Sequence, residues 1–506
     1  MPFNTYAMTV GSEPSRPQGG HTLIVALPAS GSGKEEAKAG TDLPESLKTL
    51  LGSSLKEFEE ALERQGFSAG YRKSLAFHNW PFPEASLILA GLGKRSALNS
   101  LRLMHAIEAA LAHRPEKSAN LAVDLSLCPL PSESGIIAAS AAISNHLYRS
   151  REFNKELPQL EAVYITSVEV AATEPPFLAV AHAMNQATSR AKDLVNMPPN
   201  VKRTATLAEE ALTLQKKGLQ VEIIDDPSWI EENMPCFFTV ARASLDFDPP
   251  RWIHLTLANP GAQKRVALVG KSVIFDTGGI QVKPGNFMNT MKADMTGGAT
   301  VLGIIDAMQE LSLPNLEIHA FLAATPNLVS ESAMLPDSIV DTACGKRVEI
   351  RHTDAEGRLT LIDAVTMAEK TNPDVMITLA TLTGSASRAV GPHIALMSRH
   401  PEERDRLARA GFEAADICQT LDLLEEDFED IASKLDGADI NNTGSESYRG
   451  AQTAAAFVLS GVRDDLPVLH LDIAGGDMSK DDKATGIAAR AIINYLLDLN
   501  RRAGAE

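Results

Sequence analysis

Asp354, Glu356 and Arg358 stand at alternate positions in HTDAEGRLTLIDAV, residues 352–365, with only Ala355 and Gly357 between them. In extended backbone, side chains alternate in direction, so all three would project to one side. Two carboxylates at that spacing can reach a pair of cations about 3.5–4 Å apart, the separation of two-metal hydrolytic sites. Acids beside a helix start can also simply complement its dipole. A helix is expected to follow, with Thr360 as its cap and Asp363 three residues on. The loop alone leaves both readings open.

A second segment, KSVIFDTGGIQVKPGNFMNTMKADMTGGATV, bears on the choice. Lys271 and Asp276 follow the apolar run RVALVG, then come Lys283, Met291, Lys292 and Asp294, and a helical pattern from Thr296. Glycines at 278, 279, 297 and 298 permit close backbone approach. If the segments converge, Asp276, Asp294, Asp354 and Glu356 place four negative charges together. Two divalent cations would balance them. Hard oxygen ligands suit Mg²⁺ or Mn²⁺, and Zn²⁺ also accepts carboxylates. Convergence is a requirement that spacing alone does not meet.

The elements that must position these groups are legible in outline. HTLIVALPA (21–29), SLILAGLGK (86–94), SANLAVDLSL (118–127) and EAVYITSVEV (161–170) read as buried strands alternating with amphipathic helices. They predict a small α/β domain over 1–172, with a polar leader over the first twenty residues. PFLAVAHAMNQATSRAKDLVN reads as a helix that stops at MPPN, where two prolines cannot continue it. It is the expected linker, over 173–196. Thr206 and Glu209 fit a capping box for the next helix, which stops at Gly218.

From 197 to 506, KRVALVGK (264–271), EIHAFLAAT (317–325), DVMITLATLTG (374–384) and PVLHLDIAGG (467–476) show little alternation. Such runs suit strands covered on both faces. The expectation is a larger, doubly wound catalytic α/β domain with a mostly parallel central sheet, its ligands beyond the carboxyl ends of the strands.

Composition narrows the function. The net charge of −18 opposes a polyanion as main partner, because phosphate binding needs clustered Lys and Arg, so no nucleic acid is expected. No stretch reaches the roughly 18 apolar residues of a membrane helix, and the start lacks a signal-peptide pattern. Cys128, Cys236, Cys344 and Cys418 are far apart and fit free thiols in a reducing compartment. A cytoplasmic protein is the expectation. GSGKEE (31–36) lacks two required residues of a phosphate-binding loop, and GLGK (91–94) lacks its third glycine. Neither HExxH nor GxSxG occurs.

At this point HTDAEGRL resembles the NTDAEGRL signature of the leucyl (cytosol) aminopeptidases, the M17 metallopeptidases. VGKSVIFDTGGIQVKP and MKADMTGGA resemble that family's metal-binding segments. DLVNMPPN, LATLTG, GADINNTG, AQTAAAFV and HLDIAG match further along, so the likeness covers about 180–495. It implies that Asp276 and Glu356 bridge two metals, that Lys271 and Asp294 complete the tighter site, and that Asp354 completes the exchangeable one. Lys271 would then be neutral. Lys283 would polarise the scissile carbonyl, and Arg358 would hold bicarbonate as general base. Met291, Thr381, Leu382 and Gly384 would line the pocket for the first side chain, with a broad preference for Leu- or Met-like residues. The implied metals are Mn²⁺ or Zn²⁺, with Mg²⁺ or Co²⁺ as alternatives. The implied partners are peptides with a free amino terminus and five further copies in a homohexamer. His352 stands where the family has Asn, Pro235 and Cys236 where it commonly has small residues, and GGDMSKDDKATG (475–486) departs from its usual wording. A different two-metal hydrolase, such as a phosphoesterase, and a non-catalytic scaffold are the rival readings.

Overall fold

The computed structural model describes residues 7–11, 21–29, 43–149, 160, 162–166 and 176–505. The polar leader apart from 7–11, the GSGKEE segment and the flanks of the strand expected over 161–170 lie outside the described residues. The chain divides into two compact units, Met1–Asn185 with Phe412–Ala415, and Gln186–Gly411 with Asp416–Glu506.

In the first unit, β1 (Ala7–Gly11), β2 (His21–Ala29), β3 (Ser74–His78), β4 (Ser86–Lys94), β5 (Asn120–Asp124) and β6 (Ala162–Thr166) form one sheet in the order β1-β6-β5-β2-β4-β3. All neighbours are parallel except β3 with β4. Both faces are covered, as the unbroken apolar runs require. Ile24, Ala26, Ile88 and Ala90 belong to one core, while their neighbours Leu23, Val25, Leu87 and Leu89 belong to another. Burying each large aliphatic chain contributes about 1.5–3 kcal/mol.

The second unit holds β7 (Gln220–Ile224), β8 (Arg251–Leu257), β9 (Lys264–Asp276), β10 (Leu316–Asn327), β11 (Ile339–Asp341), β12 (Arg347–Glu349), β13 (Val375–Ala380), β14 (Ile394–Met397), β15 (Cys418–Thr420), β16 (Ile440–Asn441) and β17 (Val468–Asp472). Eight strands make the main sheet, ordered β15-β14-β17-β13-β9-β10-β8-β7. Its centre, β17-β13-β9-β10, is parallel, while β14 with β17, β10 with β8 and β8 with β7 are antiparallel. The edge strand β7 and its neighbour β8 lie outside the sequence-based expectation. β7 alternates and is half exposed, so it lacks the apolar run that marks the central strands.

Helices flank the strands: α1 (Glu45–Leu51), α2 (Leu55–Gln65), α3 (Ser100–Leu111), α4 (Ser132–Leu147), α5 (Pro176–Asn196), α6 (Thr204–Gln215), α7 (Pro227–Asn233), α8 (Pro235–Ala241), α9 (Thr296–Leu311) and α10 (Glu356–Glu369) precede β13. α5 is continuous, and the division between the units falls within it. α6 starts two residues before the expected cap, and the Arg203 N–H donates to Thr206 Oγ1. α9 packs so close to β9 that a Cβ on Gly270 would lie 2.6 Å from Gly298 Cα. All four cysteines are free. Among the described residues no helix is long and apolar enough to cross a membrane.

Candidate functional site

The parallel strands bring the chosen residues to one end of the sheet, beyond their carboxyl termini, as a doubly wound topology favours. β9 continues five residues past the run read from sequence and carries both Lys271 and Asp276. Asp294 closes the single turn Met291–Ala293 that precedes α9. Thr381–Gly384 follow β13, and 474–478 follow β17.

The opening loop differs from its expected form. α10 begins at Glu356, so Glu356 and Arg358 sit in its first turn rather than in extended chain. Glu356 thereby gains the positive end of the helix dipole. Thr360 lies inside the helix and donates to the Gly357 carbonyl. Asp363 takes no part in a capping box; it accepts from the N–H groups of Cys236, Phe237 and Ala343 at 2.7–3.0 Å. Gly357 is required by its neighbour, because a Cβ there would lie 2.4 Å from Lys271 Cε.

The eleven residues singled out from sequence all line one cavity of about 460 Å³. Oxygens of Asp276, Asp294 and Glu356 lie within 4.8 Å of one another, and all three residues are buried. Lys271 Nζ lies 2.6 Å from Asp294 Oδ1 and 3.0 Å from Glu356 Oε1, and donates to the Thr381 carbonyl at 2.9 Å. Lys283 Nζ lies 2.6 Å from Asp276 Oδ2 and 2.5 Å from Asp354 Oδ1. The Thr381 hydroxyl donates to Asp294 Oδ1 at 2.8 Å.

Two lysines offset half of four carboxylate charges, and the electrostatics reflect the remainder. Burial raises the Asp294 carboxyl well above its ordinary range, and Glu356 and Asp276 add to the effect against Lys271. Glu356 and Asp354 are raised for the same two reasons, burial first and then the Asp276 charge. Burial works against the Lys271 ammonium, yet Asp294, Glu356 and Asp276 outweigh it and hold its pKa above the usual value. Lys283 is raised in the same way by Asp276 and Glu356. Burial brings Arg358 down to about 10, against the pull of Glu356 and Asp472.

Donor valence is left open here. Asp294 Oδ2, Glu356 Oε2 and Arg358 Nε are buried and have no hydrogen-bond partner. Leaving a buried polar atom unpaired costs about 1–3 kcal/mol, more when charged. Two unpaired carboxylate oxygens in a cluster of excess negative charge fit a divalent cation, and an unpaired guanidinium N–H fits an anion.

Residues outside the sequence reading hold this arrangement. Asn327, at the end of β10, donates to Asp276 Oδ1 and to the Thr353 carbonyl at 2.8 and 3.1 Å. Asn442 accepts from the N–H groups of Arg351 and His352 and donates to the His352 carbonyl, bracing the loop before Asp354. Asp472 accepts from Leu382 N–H and the Thr383 hydroxyl, fixing the segment after β13. Asn442 and Asp472 lie inside motifs quoted for the resemblance; Asn327 had no such signal. The Asp354 N–H donates to His352 Nδ1 at 3.1 Å, so the unusual histidine does enter the loop's hydrogen bonding.

A buried acidic cluster with paired lysines, at the switch end of a parallel sheet, defines a metallohydrolase-like site. Residues 189–493 match the profile of the cytosol aminopeptidase family, catalytic domain. A probable cytosol aminopeptidase of Thermosynechococcus vestitus is 35% identical over 91% of this chain and 94% of its own length. One from Pseudomonas fluorescens is 35% identical over 94% and 96%. The solved bottromycin maturation enzyme BotP, in complex with Mn, superposes with a TM-score of 0.80 at 26% identity, covering 95% of this chain and 99% of that one. The chain belongs to the cytosol aminopeptidase family, the metal-dependent M17 peptidases, and is a hydrolase of the aminopeptidase class.

Proposed function

We propose that the protein is a bimetallic aminopeptidase that removes a Leu- or Met-like amino-terminal residue from peptides. The observation that carries this is the pair of unpartnered buried oxygens, Asp294 Oδ2 and Glu356 Oε2, in the cavity that Lys283 also lines. Asp276 and Glu356 would be shared between two divalent ions, Mn²⁺ or Zn²⁺ with Mg²⁺ or Co²⁺ as alternatives; Lys271 and Asp294 would complete one site and Asp354 the other. When bound, the ions acidify water so that a nucleophile is available at neutral pH, and they receive the free α-amine of the peptide.

The chain's own groups do the rest. Lys283 keeps its proton, since Asp276 and Asp354 flank it, and donates to the scissile carbonyl oxygen as negative charge develops there. Lys271 is a ligand only when neutral; burial already opposes its charge, and cations that offset Asp294 and Glu356 remove what sustains it. The Arg358 guanidinium, buried with Nε unpaired, would hold an anion, bicarbonate by family resemblance, and that anion would supply a general base. Met291, Thr381, Leu382 and Gly384 receive the first side chain, and a flexible thioether beside small residues tolerates several apolar shapes. The protein would act in the cytoplasm as a homohexamer.

The test is hydrolysis of Leu-p-nitroanilide with added Mn²⁺. Turnover should vanish with chelator, return on readdition, and fall about 10²–10³-fold or more in Lys283→Ala. Hydrolysis of phosphate esters without aminoacyl amides would instead identify a phosphoesterase. Two bound metals with no turnover of either would identify a scaffold.

A further inference from the structure

Among the described residues, five carboxylates line the cavity: Asp276, Asp294, Asp354, Glu356 and Asp477. The first four each sit within 3.0 Å of Lys271 or Lys283. Asp477 has no ion-pair partner among the described residues. Its Oδ1 accepts from the Gly475 N–H at 3.2 Å, a bond that fixes the carboxylate without offsetting its charge. It lies in the segment after β17 whose wording departs from the family's, and Ala474, Gly475 and Met478 of that segment line the cavity too. The segment is seated closely on α11 (Gly384–Val390) at Gly475, where an added Cβ would lie 2.5 Å from Ser387 Oγ.

From this we propose that Asp477 is a specificity-determining residue, a fixed anion in the cavity that selects an amino-terminal Lys or Arg over an uncharged side chain of the same length. The proposal rests on the aminopeptidase reading and adds basic side chains, as the preferred class, to the apolar ones that reading names. Met291, Leu382 and Met478 offer apolar wall to a methylene stem. Lys and Arg are such stems with a charged end, so they use the wall that accepts Leu or Met and add a partner for the one unpaired carboxylate. A buried pair of this kind discriminates mainly because the wrong substrate leaves a polar group unmatched.

Lysine and norleucine share a stem and differ in the terminal ammonium, so their ratio isolates the charge. With the Mn²⁺-loaded enzyme, kcat/KM for Lys-p-nitroanilide should exceed that for norleucine-p-nitroanilide. In Asp477→Asn, which keeps an oxygen for the Gly475 N–H, that ratio should fall by about tenfold or more, with norleucine turnover little changed. An unchanged ratio overturns the proposal. So does an equal loss on both substrates, which would place Asp477 on the α-amine or in a purely structural role. Calorimetric binding of lysinamide and norleucinamide makes the same comparison without turnover. A protein that hydrolyses neither anilide therefore fails the aminopeptidase reading, while its binding ratio still decides the role of Asp477. Matched melting temperatures of variant and wild type exclude misfolding as the cause.

Discussion

Buried carboxylates in the second unit fall into two groups. Asp416 is saturated: Oδ2 accepts from the N–H groups of Arg490 and Ala491, and Oδ1 from Arg490 Nη2 at 2.8 Å. Asp363 and Asp472 are likewise satisfied by backbone N–H groups, with the Thr383 hydroxyl added at Asp472. In the cavity, Asp294 and Glu356 each keep one oxygen with no partner. The first group ties loops and helix ends together. The second carries an unmet cost that a bound cation would return. An open oxygen thus sets Asp294 and Glu356 apart from the structural acids, whereas Asp276, partnered at both oxygens by Asn327 and Lys283, joins those two by its place in the cavity.

Four experiments would break or sharpen that contrast. Glu356→Gln should lower kcat/KM for Leu-p-nitroanilide by about 10³-fold while leaving the chelated protein's melting temperature unchanged or higher, since it removes one repelling buried charge. A clear loss of stability would put Glu356 with the structural acids. Asp416→Ala should do the converse, costing roughly 3–5 kcal/mol in urea unfolding because Arg490 stays buried without its partner, with metal content of the folded fraction unaltered.

Saturating Mn²⁺ should stabilise the chelated wild type by about 3 kcal/mol at a hundredfold excess over its dissociation constant. Scanning calorimetry should find that gain reduced in Asp294→Asn and intact in Asp472→Asn. The last contrast is in acid. Burial pushes His254 down to about 4 and His470 to about 3, the latter helped by the Arg358 charge. Both rings are therefore neutral when folded, while the unfolded chain takes up protons below about 6.5. The unfolded state binds more protons across that window, so stability present above pH 6.5 is lost as pH falls toward 4, at up to about 1.4 kcal/mol per unit per ring. His470→Gln should flatten the slope of urea midpoint against pH; an unchanged slope would remove His470 from the account.

The central strands were legible because each is covered on both faces and so reads as an unbroken apolar run, as β2 and β4 do to the residue. β7 was not, because a half-exposed edge strand has a mixed pattern. The start of α10 also differs from its expected place. Alternation of Asp354, Glu356 and Arg358 suggested extended chain, whereas the helix takes Glu356 at its first position. The local pattern held too little to decide between a loop and a helix terminus.

Residue types alone therefore determined that this chain owns acids, lysines and an arginine of the kinds that metal chemistry uses, since ligand chemistry is a property of side chains. Tertiary structure decided which of those acids are satisfied and which oxygens remain open. It also placed Asn327 behind Asp276 and Asp477 in the cavity wall. Hydrogen-bond saturation depends on partners from β10, β13 and β17, far apart in the chain, and only folding sets those distances.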